Sequence, residues 1–251
     1  MRAAESAGES NEAKGNPRPP ALAQCLAAEA TGTFVLTLVA AGADVLDAAT
    51  QGGIGHPARY LAPGLVLIAL IFSLSGISGA HINPAVTFAF VVRGVFPISR
   101  AFAYWGTQFA GAAAAGAALL VLFGPLARHG VSRMTLPLAP AAGAASEALL
   151  TAILVLVILG TSEQKAVVGK NAALAVGFTV AALGLFASPV SGASMNPARS
   201  LGPAVATLSF ENWWLYLAGP IAGALIGCGI VNAIYGAPTS DEQEAAAGQA
   251  A

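Results

Sequence analysis

The sequence predicts an all-α membrane fold: six transmembrane helices plus two re-entrant half-helices, arranged as an inverted repeat. Three observations carry that expectation. Of the 251 residues, 56% are hydrophobic and only 9% charged, where soluble domains carry about 25% charged residues, and the mean hydropathy is +0.72. Apolar runs of spanning length recur along the whole chain. Two Asn-Pro-Ala boxes, Asn83-Pro84-Ala85 and Asn196-Pro197-Ala198, each follow such a run at corresponding places in the two halves. A net charge of −1 offers no basic surface to nucleic acid.

Residues 1–20 are polar, charged and Pro-bearing, and read as a disordered N-terminal tail. The apolar run that follows is too long for the core of a signal peptide and long enough to span. Spans are expected at 21–42, 61–80, 101–123, 144–161, 168–188 and 213–235, each close to the ~20 residues a bilayer core requires. The runs at 84–92 and 197–208 are about half as long. Ten helical residues reach roughly 15 Å, half the hydrocarbon thickness, so these are half-helices. Residues 124–140, with Pro125, Pro137 and Pro140, make the loop joining the halves, and 236–251 read as a disordered C-terminal tail.

In each box the Asn suits an N-cap, and the Pro suits the first helical position, where its missing N–H costs nothing. Both helix starts follow directly on apolar spans, at membrane depth. Irregular backbone is tolerated there only where protein buries it or it lines a watery cavity. Two helix N-termini so placed would bring two positive dipole ends and several free N–H donors together. Such an arrangement suits a pore or a midplane binding site.

The halves, about 21–123 and 144–235, repeat each other within a channel domain at 21–235. Glu29-Ala is answered by Glu147-Ala, Gly79-Ala-x-x-Asn83-Pro84-Ala85 by Gly192-Ala-x-x-Asn196-Pro197-Ala198, and Tyr104 by Tyr216, at offsets of 118, 113 and 112 residues. Three spans per half is an odd number, so the copies cross the membrane in opposite senses, and inverted repeats place their broken helices at the midplane. With the N-terminus inside, the cytoplasmic side collects Arg2, Lys14, Arg18, Arg93, Arg100, Lys165 and Lys170, against Arg59, Arg128 and Arg133 outside. That bias puts both termini in the cytoplasm of a multi-pass protein of the inner or plasma membrane. Small residues four apart, Gly111/Ala115 and Gly219/Gly223/Gly227, permit close helix approach. Cys25 and Cys228 sit in apolar segments and read as buried free thiols.

Arg199 is the one strongly basic residue that the sequence sets inside an apolar region, and an intramembrane charge is functional by default. Glu29 and Glu147 read as carboxylates that brace the irregular loops by accepting backbone N–H bonds, and His81 as a similar brace. His81 has no second ligand nearby, so no metal site is expected. His56 and His129 read as solvated loop residues, and Gln108 as glue between helices. There is no nucleophile–base pair and no metal cluster, so neither an enzyme nor a cofactor is expected.

With two Asn-Pro-Ala boxes, Arg199 after the second, and a Glu in the first span of each half, the chain resembles the aquaporin (major intrinsic protein) family from about Ala21 to Tyr235. The resemblance implies a homotetramer of independent pores in the lipid bilayer. Each pore would pass water and small uncharged solutes such as glycerol, urea or metalloid acids down their gradients, and exclude ions and protons. It puts Asn83, Pro84, Ala85, Asn196, Pro197 and Ala198 at the pore centre, and a selectivity filter at Pro63, Gly184, Ala193 and Arg199. Similar water-selective members carry Phe and His at the first two filter positions, and glycerol-conducting members Trp, Gly and Phe at the first three. This chain matches only Gly184 and Arg199, so a wide opening without an aromatic ring is expected, with Phe72 and Phe186 the aromatics available to narrow it. Ser200 and Ala204 resemble the water-channel side, and Tyr216-Leu217 the plant nodulin-type branch. The alternatives are a strict water channel, an alternating-access transporter needing a coupling acid or lysine at the site, and a junctional protein with a closed pore.

Overall fold

A computed structural model describes residues 19–163 and 171–248. Their helices, in chain order, are α1 (Leu22–Ala49), α2 (His56–Ser78), α3 (Pro84–Val92), α4 (Ile98–Phe123), α5 (Pro140–Glu163), α6 (Ala172–Ser191), α7 (Pro197–Thr207), α8 (Leu215–Tyr235) and α9 (Ser240–Ala247), with a 3₁₀ turn over Gly124–Gly130. The helices α1, α2, α4, α5, α6 and α8 are long and apolar enough to cross a membrane. The half-helices α3 and α7 have 9 and 11 residues. Expected residues 1–18 of the N-terminal tail lie outside the described residues.

Close approach between helices is built from paired glycines. A Cβ on Gly111 of α4 would fall 2.2 Å from the Ala30 carbonyl of α1, and one on Gly223 of α8 would fall 2.3 Å from the Ala148 carbonyl of α5. These two contacts are equivalents in the two repeats, so α1 lies along α4 as α5 lies along α8. Gly64 of α2 and Gly177 of α6 meet each other's backbone at 2.5 and 2.6 Å in the same sense. That pair joins the two halves across their mutual axis. Each half-helix packs on the other repeat, α3 against α8 and α7 against α4.

Two elements differ from the expectation. Helix α1 runs on to Ala49 rather than ending near residue 42. Its last turns carry Asp44 and Asp47, and both carboxylates meet the guanidinium of Arg59 on α2, at 2.6 and 3.1 Å. The helix can therefore hold two acids at the membrane edge. The second difference is the C-terminal segment. Residues 240–247 are not an unstructured tail but the helix α9, opened by a capping box between Thr239 and Glu242. Glu242 and Ala246 are wholly buried, and α9 packs on α2 and α5.

Candidate functional site: the junction of the two half-helices

Each Asn-Pro pair starts its half-helix as the residue types dictate. The Asn83 side-chain oxygen accepts from Ala85 N at 2.9 Å, and the Asn196 oxygen from Ala198 N and Arg199 N at 3.1 and 3.2 Å. Pro84 and Pro197 occupy the first helical positions, where no donor is missed. The amide nitrogens then cross the junction. Asn83 Nδ2 donates to the Met195 carbonyl at 2.8 Å, and Asn196 Nδ2 to the Ile82 carbonyl at 2.9 Å. The two boxes are thus tied to each other reciprocally. An amide NH₂ has two donors, so each Asn keeps a second N–H beyond the tie.

The loops leading into the boxes are strained in the same way in both repeats. Ala80 and Ile82 have φ of 48° and 51°, and Ala193 and Met195 have φ of 46° and 55°. Left-handed backbone at a β-branched residue such as Ile82 is an outlier that its surroundings must enforce. A buried carboxylate does so in each half. Glu29 accepts from Ser78 Oγ, His81 N, Ile82 N and Gln108 Nε2 at 2.7, 2.9, 2.6 and 2.7 Å. Glu147 accepts from Ser191 Oγ, Ser194 N and Met195 N at 2.7, 2.9 and 2.6 Å. Tyr104 and Tyr216 complete each brace by donating to the Ser78 and Ser191 carbonyls at 2.9 and 2.8 Å. Where Glu29 has Gln108, Glu147 has none, since Pro220 stands at that place in the second repeat.

The His81 imidazole packs among Phe90, Phe96 and Tyr104. Its Nε2 lies 3.0 Å from the Ala246 carbonyl, which can only accept, so Nε2 carries the proton. Nδ1, 3.0 Å from Thr87 Oγ1, is left to accept.

A continuous cavity of about 680 Å³ passes this junction. Tyr60, Pro63, Gly184, Ala193 and Arg199 line one end, Asn83 and Asn196 its middle, and Thr161, Ser162, Asp241 and Ala245 the other end. Arg199 is buried; its Nη1 donates to Ser132 Oγ at 2.7 Å and its Nη2 lies 4.0 Å from Asp44.

A family profile described as major intrinsic protein matches residues 18–231. The chain belongs to the major intrinsic protein (aquaporin) family. It is 41% identical over 216 residues to Aquaporin NIP1-3 of Oryza sativa subsp. japonica, covering 84% of this chain and 74% of that protein. It is 37% identical over 215 residues to the putative aquaporin NIP4-1 of Arabidopsis thaliana, covering 85% and 75%. The solved structure of the aquaglyceroporin from Plasmodium falciparum shares the fold at a TM-score of 0.76 and 23% identity, over 84% of this chain and 96% of that one. This aquaporin-family chain is therefore a membrane channel protein, and the nodulin-type flavour of Tyr216-Leu217 agrees with the NIP names of its relatives.

The structure brings Asn83, Asn196, Pro63, Gly184, Ala193, Arg199 and His81 to one cavity and sets Glu29 and Glu147 behind its loops, while Pro84, Ala85, Pro197 and Ala198, expected at the pore centre, are not among the residues that line it. It departs from the sequence reading at four further points. The Arg199 end of the cavity does contain an aromatic ring, Tyr60, three residues before Pro63 on α2. Phe186 is 75% exposed and turned outward, while Phe72 lines the cavity more than two turns from Pro63. His56 is not simply solvated, because its Nε2 lies 2.7 Å from Ser188 Oγ. Arg199 is not the sole buried cation either: Arg93 is 4% exposed, with Glu242 at 3.1 Å. Asp44, Ser132 and α9 carried no sequence signal that tied them to the site, except the Thr239-x-x-Glu242 spacing of a capping box.

Proposed function

We propose that the chain conducts water and small uncharged solutes, such as glycerol, urea or undissociated metalloid acids, passively along this cavity. It does so as a homotetramer of independent pores in the inner or plasma membrane, with both termini in the cytoplasm. The observation that carries the reading is the reciprocal pair of bonds from Asn83 to the Met195 carbonyl and from Asn196 to the Ile82 carbonyl, which holds two helix N-termini tip to tip beside one cavity. Each terminus is equivalent to roughly +0.5 elementary charge, so cations meet about one positive charge there, and Arg199 adds another nearby. A neutral solute is not opposed by that field. It takes the second N–H of each Asn and the carbonyls of the strained loops as a replacement for its hydration. Pro63, Gly184, Ala193 and Arg199 would form the filter, with small side chains at Gly184 and Ala193 leaving room for more than water. The names of the relatives, aquaporins and an aquaglyceroporin, support the same solute class.

The test is stopped-flow light scattering on proteoliposomes of the full chain. Shrinkage and re-swelling with glycerol, urea and boric acid should exceed empty vesicles along with water flux. If water flux rises while all three solutes stay at control rates, the strict water channel is the correct reading.

A further inference from the structure

The outer end of the cavity contains an aromatic wall that does not come from any of the four filter positions. Tyr60 is 7% exposed and lines the cavity beside Pro63, Gly184, Ala193 and Arg199. It lies on the outer-mouth side of Pro63, about one turn away at 1.5 Å per residue. Its position is set from three sides. Across the cavity wall, Gly184 leaves the ring its space: a Cβ there would fall 3.0 Å from Tyr60 Cβ and 3.3 Å from Cδ1. The Arg59 guanidinium stands 5.3 Å from the ring centroid and is itself clamped by Asp44 and Asp47. The His56 ring packs 4.9 Å away, pinned by Ser188. Pro63 contributes as well. It has no N–H to give the Arg59 carbonyl, which loosens α2 where the Tyr60 side chain must turn.

We infer that Tyr60 is the size gauge of this channel: its ring, held between Arg59 and the bare backbone of Gly184, sets the largest solute cross-section that passes. The inference rests on the proposed conduction along this cavity. Gly184 is then small in order to house the tyrosine, whose ring takes the space its missing side chain leaves.

The test is proteoliposome swelling of the full chain with water, glycerol and a five-carbon polyol. Tyr60→Ala should raise the ratio of five-carbon polyol to glycerol permeability about tenfold, and Tyr60→Phe, which keeps the ring, should restore the wild-type ratio. Gly184→Ala sets a methyl 3.0 Å from Tyr60 Cβ and 3.3 Å from Cδ1, so the ring must give way by a few tenths of an ångström, and the glycerol permeability should fall relative to water. Tyr60→Ala with a wild-type ratio, or Gly184→Ala with a wild-type glycerol-to-water ratio, overturns the gauge. Wild-type vesicles that match empty ones for every solute overturn the conduction reading instead.

An independent set of contacts lies at the opposite mouth. Helix α9 reaches back to the cavity, and Asp241 and Ala245 line its end. Its inner face is buried. Glu242 accepts from Arg93 Nε at 3.1 Å, and Arg93 Nη1 donates to the Gly236 carbonyl at 2.7 Å and to Asn232 Oδ1. At the far end of α9, His81 holds the Ala246 carbonyl, and Gly79 and Gly248 bring the backbones together, with a Gly79 Cβ position 2.6 Å from Ala246 O. His81 belongs to the loop that leads into the first box, so α9 is fastened to the conducting loop itself. We propose that α9 is a built-in closure of this mouth, with Arg93–Glu242 as its latch.

Glu242→Ala should speed cleavage at Glu244 by a glutamate-specific protease about tenfold and raise water permeability per channel several-fold. Ala246→Leu, which wedges the helix away from His81, should act in the same direction. Faster cleavage without higher flux makes α9 a brace rather than a closure, and unchanged cleavage in both variants removes the latch.

Discussion

Removal of the Glu147 carboxylate is the perturbation with the clearest magnitude. Glu147 accepts the backbone amides of Ser194 and Met195 at 2.9 and 2.6 Å, and the Ser191 hydroxyl at 2.7 Å. The hydroxyl can turn elsewhere, but the amides cannot. An orphaned buried donor costs about 1–3 kcal/mol, so Glu147→Ala costs about 2–6 kcal/mol from the two amides alone. The left-handed backbone at Ala193 and Met195 adds about 1–3 kcal/mol per residue of strain that these bonds now restrain. The loop should relax, Asn196 should leave the Ile82 carbonyl, and the tip of α7 should withdraw from α3. Glu147→Gln keeps one acceptor and orphans one amide, for about 1–3 kcal/mol. Melting temperature in detergent and water permeability in proteoliposomes should both rank wild type above Gln above Ala, with Ala at the rate of empty vesicles. An alanine variant that melts and conducts like wild type would refute the idea that this carboxylate holds the pore loop.

Other expectations follow from the same geometry. Asn83→Asp and Asn196→Asp each set a carboxylate at the middle of the cavity, cancelling the field of about +1 elementary charge from the two helix ends and facing a carbonyl that now meets no donor. Water flux should fall and cation conductance in planar bilayers should rise, most in the double variant. Gly223→Val drives a side chain into the Ala148 carbonyl, whereas Gly106→Ala points into open space; thermal stability should drop sharply for the first and hold for the second. Mercurials should inhibit weakly, because Cys25 and Cys228 are 1% and 2% exposed and neither lines the cavity. Strong block that survives replacement of both would contradict that.

Much of this could be read from the residues because the bilayer imposes simple rules. The six spans and the start of each half-helix at Pro84 and Pro197 follow from apolar run lengths and from Asn-Pro as a helix beginning. Glu29 and Glu147 are legible because a carboxylate in an apolar run needs donors, and the two occupy matching positions of the repeat. What could not be read depends on tertiary pairing. The extra turns of α1 exist because Asp44 and Asp47 find Arg59, a contact between two helices that no local pattern announces. Helix α9 buries little but alanine and one glutamate, so it lacks an apolar face; its partner Arg93 lies far away in the chain. Tyr60 has no such signal because the expected filter positions follow from spacing to the boxes, while this ring reaches the cavity from about one turn away on α2.

The most direct measurement is to plug the cavity along the proposed solute path. Ala193 lines the same end of the cavity as Arg199, and its side chain is a methyl, so Ala193→Trp would fill that end. Water and glycerol permeabilities should then fall to the level of empty vesicles, with the melting temperature of the wild type retained. A folded Ala193→Trp channel that conducts at wild-type rates would contradict that path, because solutes would then be crossing somewhere other than between Asn83 and Asn196.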